Sequence, residues 1–201
     1  MRKILLASTA AMLALGLASC GPKTEKAADA TANSASNALD AAGAMASNAA
    51  DDVKQAVTPT PTGQEFANMA AKSDAFELAA AKLAATNAAS ADVKSFAVEM
   101  IKAHTDSTAK IKKASAAAAP AIVPDAMMTE DQQEDLDKLA KLKGAAFDEE
   151  YVDNQIDAHQ TALSLMQGYA ADGEVPTLKA AAGEIAPVVS HHLEMIKALD
   201  K

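Results

Sequence analysis

Along residues 63 to 201, large apolar side chains recur at intervals of three and four, the signature of one buried stripe on an α-helix rather than the alternation of a strand. Composition points the same way. About a quarter of the positions are alanine, far above ordinary usage, only 3% are aromatic and there is no tryptophan. Alanine, leucine, lysine and glutamate favour helices, while the β-branched and aromatic residues that strands need are sparse. An all-α fold follows, and an all-β or parallel-sheet enzyme is excluded.

Four helical stretches are expected. The first carries Phe66, Met69, Ser73, Phe76, Ala80 and Leu83 on its stripe, with Thr62 and Glu65 as a capping box and Glu77 flanking the stripe. The second starts from an N-cap at Ser90 and carries Val93, Phe96, Met100, His104, Ser107 and Ile111, ending in the alanine run before Pro120. After loop-like residues 115 to 128, Thr129 and Gln132 cap a third stretch with Leu136, Leu139 and Leu142. Gly144 breaks or kinks it, and the continuation holds Phe147, Tyr151, Val152, Gln155, His159, Ala162, Leu163 and Met166 until Asp172-Gly173. The fourth begins at Pro176 and carries Leu178, Ile185, Val189, His192, Ile196 and Leu199, with Pro187 inside it and His191 about a quarter turn off the stripe. Long amphipathic helices with mostly short connections pack as an up-down four-helix bundle, here with one longer crossover between the second and third stretches.

The N-terminus reads as an address. Arg2 and Lys3 precede a short apolar run from Ile4 to Leu17, too short for a membrane span and typical of a secretory signal. The run closes in Leu17-Ala18-Ser19-Cys20, which resembles the bacterial lipobox, so residues 1–19 are a lipoprotein signal peptide and Cys20 is the acylated anchor. Multiple acyl chains make such attachment durable, at about 0.8 kcal/mol per buried methylene. Cys20 is the single cysteine, so the mature chain has no thiol for a disulfide, a nucleophile or a metal. Gly at position 21 points to an outer-membrane lipoprotein facing the periplasm. Residues 20–62 are rich in Ala, Ser, Asn, Asp and Thr, with Leu39, Met45, Val53 and Val57 as the only large apolar residues before the Thr58-Pro59-Thr60-Pro61-Thr62 stop. They read as a low-complexity tether. Residues 63–201 then form the folded domain, whose 13 basic and 22 acidic side chains give it a net charge of −9. An acidic domain without a basic stripe is not a nucleic-acid binder.

Glu77 within Phe76-Glu77-Leu78, Phe96-Ala97 with His104-Thr105, Phe147-Asp148 with Tyr151 and His159, and Pro187 with His192-Leu193 together resemble the bacterial family named domain of unknown function 4142. The resemblance covers roughly residues 63 to 200. It implies a ferritin-like four-helix bundle in an outer-membrane or secreted protein, and it implies no established activity.

Chemistry rests on three histidines. His104, His159 and His192 each replace an apolar residue on the inward stripe of a different helix, and the remaining helix offers Glu77. Three imidazoles and a carboxylate meeting at one level of a bundle suit a single transition metal, copper, zinc or iron. A ferritin-type di-iron centre is not expected, because its Glu-x-x-His pairs are missing: Ile101 and Val189 stand three residues before His104 and His192. Met100 and Met195 keep a softer copper(I) variant open. The competing role for the same histidines is a buried polar network with Glu77, Ser73 or Gln155. No catalytic Ser-His-Asp order, phosphate loop, zinc-protease helix or dinucleotide fingerprint is present. The sequence therefore leads to a non-enzymatic envelope lipoprotein with a helical-bundle binding domain, a metal ion on the inward histidines being one candidate ligand; a metal-free module for a periplasmic protein partner is the alternative, and a metal-dependent oxidoreductase stays in reserve. Nothing in the stripes fixes an oligomeric state.

Overall fold

The computed structural model describes residues 59 to 200. The expected signal peptide, Cys20 and nearly all of the segment expected to be a tether lie outside the described residues. Five helices follow one another: α1 (Gly63–Asn87), α2 (Ala91–Ala116), α3 (Glu130–Lys141), α4 (Ala145–Asp172) and α5 (Pro176–Lys197). None is long and apolar enough to cross a membrane.

Local chemistry sets the boundaries. Thr62 and Glu65 form the capping box of α1, Ser90 caps α2, and Thr129 with Gln132 boxes α3, each satisfying amide groups that a helix start would otherwise strand. Pro176 occupies the first turn of α5, where its missing N–H costs nothing. The third stretch divides into two separate helices at Gly144, whose φ of 65° a side chain would resist. Helix α5 runs on through Pro187.

The chain order is up, down, down, up. Gly144 donates to the carbonyl of Asn87, so the start of α4 sits at the end of α1. Gly63, at the other end of α1, donates to Glu174 between α4 and α5. The crossover after α2 climbs along α1, fastened by Asn68 to the amide of Asp125 and by Lys72 to the carbonyl of Met127 and the carboxylate of Asp125. Helix α1 packs on α2 and α4, and α5 packs on α4 and α2, so every neighbouring pair of long helices is antiparallel. A single long crossover with this order is the ferritin-like arrangement.

The core has two apolar clusters. The upper one gathers Phe76, Phe96, Met100, Leu139, Phe147, Tyr151 and Ile196. The lower one gathers Phe66, Ile111, Met166, Tyr169, Leu178 and Ile185, with Phe66 stacked on Tyr169 at 3.9 Å. Between them, on all four long helices, lies a layer of buried polar residues: Asp74 and Glu77, His104, Gln155 and His159, and His192.

Helix α1 departs from its expected phase. The sequence places Met69, Ser73 and Leu83 on the inward stripe, yet Met69 is 47% exposed and Ser73 and Leu83 are only half-buried. The buried face instead runs through Phe66, Ala67, Ala70, Asp74, Glu77, Ala81 and Ala84. Alanine faces let helices approach closely, so on α1 small size rather than bulk marks the interior. Glu77, expected beside the stripe, lies at its centre.

Candidate metal centre

Each histidine is delivered by the stripe of its own helix. His104 follows Val93, Phe96 and Met100 on α2, His159 follows Tyr151 and Gln155 on α4, and His192 lies between Val189 and Ile196 on α5. All three are buried, at 6%, 1% and 2% exposure. One ligand nitrogen from each lies within 4.8 Å of the other two, and among the described residues no other set of three His, Cys, Asp or Glu side chains comes together this way. The ring centroids are 5.7 to 6.2 Å apart, and the ring planes cross at 48° to 79°. The rings therefore meet at steep angles rather than as a stack.

Hydrogen bonds orient two of the rings. His159 Nδ1 lies 2.8 Å from the carbonyl of Gln155, one turn earlier on α4. A carbonyl only accepts, so Nδ1 carries the proton and Nε2 keeps a free lone pair. His104 Nδ1 lies 2.8 Å from Asp74 Oδ1, and Thr108 donates to the other Asp74 oxygen at 3.1 Å. His104 Nε2, His159 Nε2 and His192 Nδ1 are all buried without a hydrogen-bond partner. Buried polar atoms are nearly always paired, and three orphaned ring nitrogens in one polar layer call for a common partner. A backbone carbonyl or carboxylate on the far nitrogen is the arrangement that holds a metal-ligating imidazole in place.

Electrostatics keep the donors available. Burial, then repulsion from His104, pushes the His159 pKa down to about 4. Burial, then the neighbouring histidines, pushes His192 down to about 3. Both rings are thus neutral near pH 7, as ligands must be. For His104, burial opposes the charge, but the Asp74 hydrogen bond and the charges of Glu77 and Asp74 outweigh it and leave its pKa raised. Burial raises the pKa of Glu77, against the opposing influence of His104. Among the described residues no Lys or Arg forms an ion pair with Asp74 or Glu77. Asp74 is paired with His104, Glu77 forms no ion pair among the described residues, and these two buried acidic groups beside the neutral rings of His159 and His192 suit a cation between the helices. The donor set therefore fits a transition metal: imidazole nitrogen is a good ligand for copper, zinc and iron, and bundle interiors are common places to build such sites.

Of the four residues singled out from the sequence as ligands, the structure brings together His104, His159 and His192. Glu77 is buried in the same polar layer but stands outside that set of three, with Oε2 unpartnered. Met100 and Met195 pack with the upper apolar cluster. The sequence reading missed Asp74, the residue that positions His104. Its signal was present: an aspartate one turn before Glu77 on the same helix, in a segment otherwise made of alanine and phenylalanine. Ser73, proposed from the sequence as a network partner, is displaced from that role by its neighbour.

Comparison with known proteins adds a family and a fold. A family model described as Domain of unknown function (DUF4142) matches residues 44–199. The chain belongs to this family. The match begins within the segment read from the sequence as tether. No curated protein matches the DUF4142 chain. Two solved structures do: CopM in the Cu(II)-bound form, at 21% identity with a TM-score of 0.61, covers 71% of this chain and 97% of its own. CopM in the Cu(I)-bound form, at 19% identity with a TM-score of 0.57, covers 69% of this chain and 94% of its own. At these identities the likeness establishes the helical fold of the DUF4142 domain.

Proposed function

We propose that this DUF4142 protein is a membrane-anchored lipoprotein of the bacterial envelope whose helical bundle holds a single copper ion on His104, His159 and His192. The observation that carries this is the set of three buried histidines on three helices, each with a ring nitrogen within 4.8 Å of the other two and each with a ring nitrogen lacking a hydrogen-bond partner. Both structural neighbours are copper-bound forms of CopM, which favours copper over zinc or iron as the ion. Bound there, copper supplies an electron-accepting centre, while the chain's own residues orient the rings through Asp74 and the Gln155 carbonyl and shield the site from bulk water. The protein acts by binding rather than by turnover.

The anchor is proposed from the lipobox. Acylated Cys20 attaches the mature chain to the outer membrane, and the tether lets the domain reach into the periplasm. Two experiments test the two parts separately. Copper titrated into the chelator-stripped mature chain is expected to bind at one equivalent, with His192→Ala abolishing that equivalent; binding unchanged in the variant would refute the site. Labelled palmitate is expected to enter the wild-type chain and not Cys20→Ala; label in both, or in neither, would refute the anchor.

A further inference from the structure

A small cavity of about 20 Å³ opens between the four long helices directly beside the histidines. His104 and His192 line it, together with Ser73, Asp74, Ser107 and Met166, and Val188, 45% exposed, also borders it. His159 and Glu77 do not. A cavity needs roughly 10 to 15 Å³ to hold a water molecule, so this one has room for water.

Three imidazoles leave a four-coordinate metal one ligand short, and the identity of the fourth determines what a site can do. A fourth protein ligand closes the site, whereas water leaves a position that outside molecules can take. Glu77, the carboxylate expected from the sequence to complete the set, neither joins the three nitrogens nor lines the cavity. Met166 lines it, but packs in the lower apolar cluster with Ile111, Leu178 and Ile185. The remaining polar groups on its wall are the two serines, whose hydroxyls serve water as hydrogen-bond partners, and Asp74, whose two oxygens are already bonded to His104 Nδ1 and Thr108.

We infer that the fourth position at this centre is open: it is held by one water molecule in the cavity and is exchangeable for a small monodentate anion. This rests on the metal site proposed above. The exchange is a substitution in which the anion's lone pair replaces that of water, water leaves intact, and no electron is transferred. The cavity's partly exposed wall, Ser73, Ala103, Ala162 and Val188, sets the size limit.

The test uses the mature chain loaded with one equivalent of Cu(II) and titrated with azide, followed by visible absorption and electron paramagnetic resonance. A saturable azide-to-copper absorption band with a matching resonance shift is expected, in the wild type and equally in Met166→Leu. Ser73→Leu, which puts a larger side chain on the cavity's partly exposed wall, is expected to keep its copper and lose the azide band. One bound copper with spectra indifferent to azide would overturn the open position, as would a Met166→Leu copper spectrum that differs before azide is added. A full azide band in Ser73→Leu would overturn the cavity as its route; if that variant does not fold, the wild type and Met166→Leu still decide. Failure to bind copper at all, read from stoichiometry before azide is added, overturns the metal site itself and the open position with it.

Discussion

Asp74 is the most informative single residue to change. Its carboxylate lies 2.8 Å from His104 Nδ1 and accepts a second bond from Thr108 at 3.1 Å, and it is buried. Removing one member of a buried ion pair costs about 3 to 5 kcal/mol when the stranded charge has no escape. His104 has one, because an imidazole can release its proton and stay buried as a neutral ring. The loss then reduces to one charge-assisted hydrogen bond, about 1.5 to 3 kcal/mol, and one ordinary bond from Thr108 worth about 1. Asp74→Asn, measured by urea unfolding with chelator present, is therefore expected to lose about 2.5 to 4 kcal/mol near pH 6. The pH dependence carries the sharper signature. His104 has a raised pKa in the folded protein, so its stabilising contribution is fully present below about pH 6.5, its unfolded value, and fades as pH rises through the folded value. The cost of Asp74→Asn should accordingly shrink between pH 6 and pH 9, and Thr108→Val should cost about 1 kcal/mol at both. A loss below about 0.5 kcal/mol, within the range of an ordinary surface change, would refute the positioning role. A loss that grows with pH would refute the electrostatic argument.

Other expected outcomes follow from the same structure. Ile185→Ala, in the lower cluster, should cost about 2 to 5 kcal/mol in chemical denaturation, whereas Leu83→Ala, at a half-buried position, should fall below that range. Acid should destabilise the chelated protein: His159 and His192, held down to about 4 and about 3, resist protonation in the fold but accept it when unfolded. Stability should thus decline as pH drops below about 6.5, by at most about 1.4 kcal/mol per pH unit for each ring. Glu77, whose folded pKa is raised, works in the opposite sense above its unfolded value, so Glu77→Gln should steepen that decline when followed by circular dichroism. Gly144→Ala should cost about 1 to 3 kcal/mol through its backbone alone, because φ is 65° and an added Cβ meets no atom within 4 Å; an unchanged midpoint would contradict this.

Much of this molecule is legible in its sequence because the signals are local. Thr62 with Glu65, Ser90, Thr129 with Gln132, and Pro176 mark helix starts by chemistry that needs no tertiary knowledge, and Gly144 marks the break that separates α3 from α4. On α2, α4 and α5 the large apolar residues outline the buried face, so the three histidines could be placed inward and at a common level. On α1 that rule held for Phe66, Phe76 and Ala80 and failed for Met69, Ser73 and Leu83. Its buried face is built mainly from alanine, which periodicity weights weakly, and the reading turned toward Met69 and Ser73 and away from Asp74. The pairing of Asp74 with His104 spans 30 positions and depends on how α1 rotates against α2, which no local pattern specifies.

The most direct test of the metal centre is elemental analysis of the mature chain purified from the envelope without chelating resins, beside His104→Ala/His159→Ala/His192→Ala. The account predicts close to one copper per chain in the wild type and none in a variant that keeps its helical circular dichroism. No metal in the wild type, even after incubation with copper, zinc and iron, would contradict it and leave the three histidines as a buried polar network.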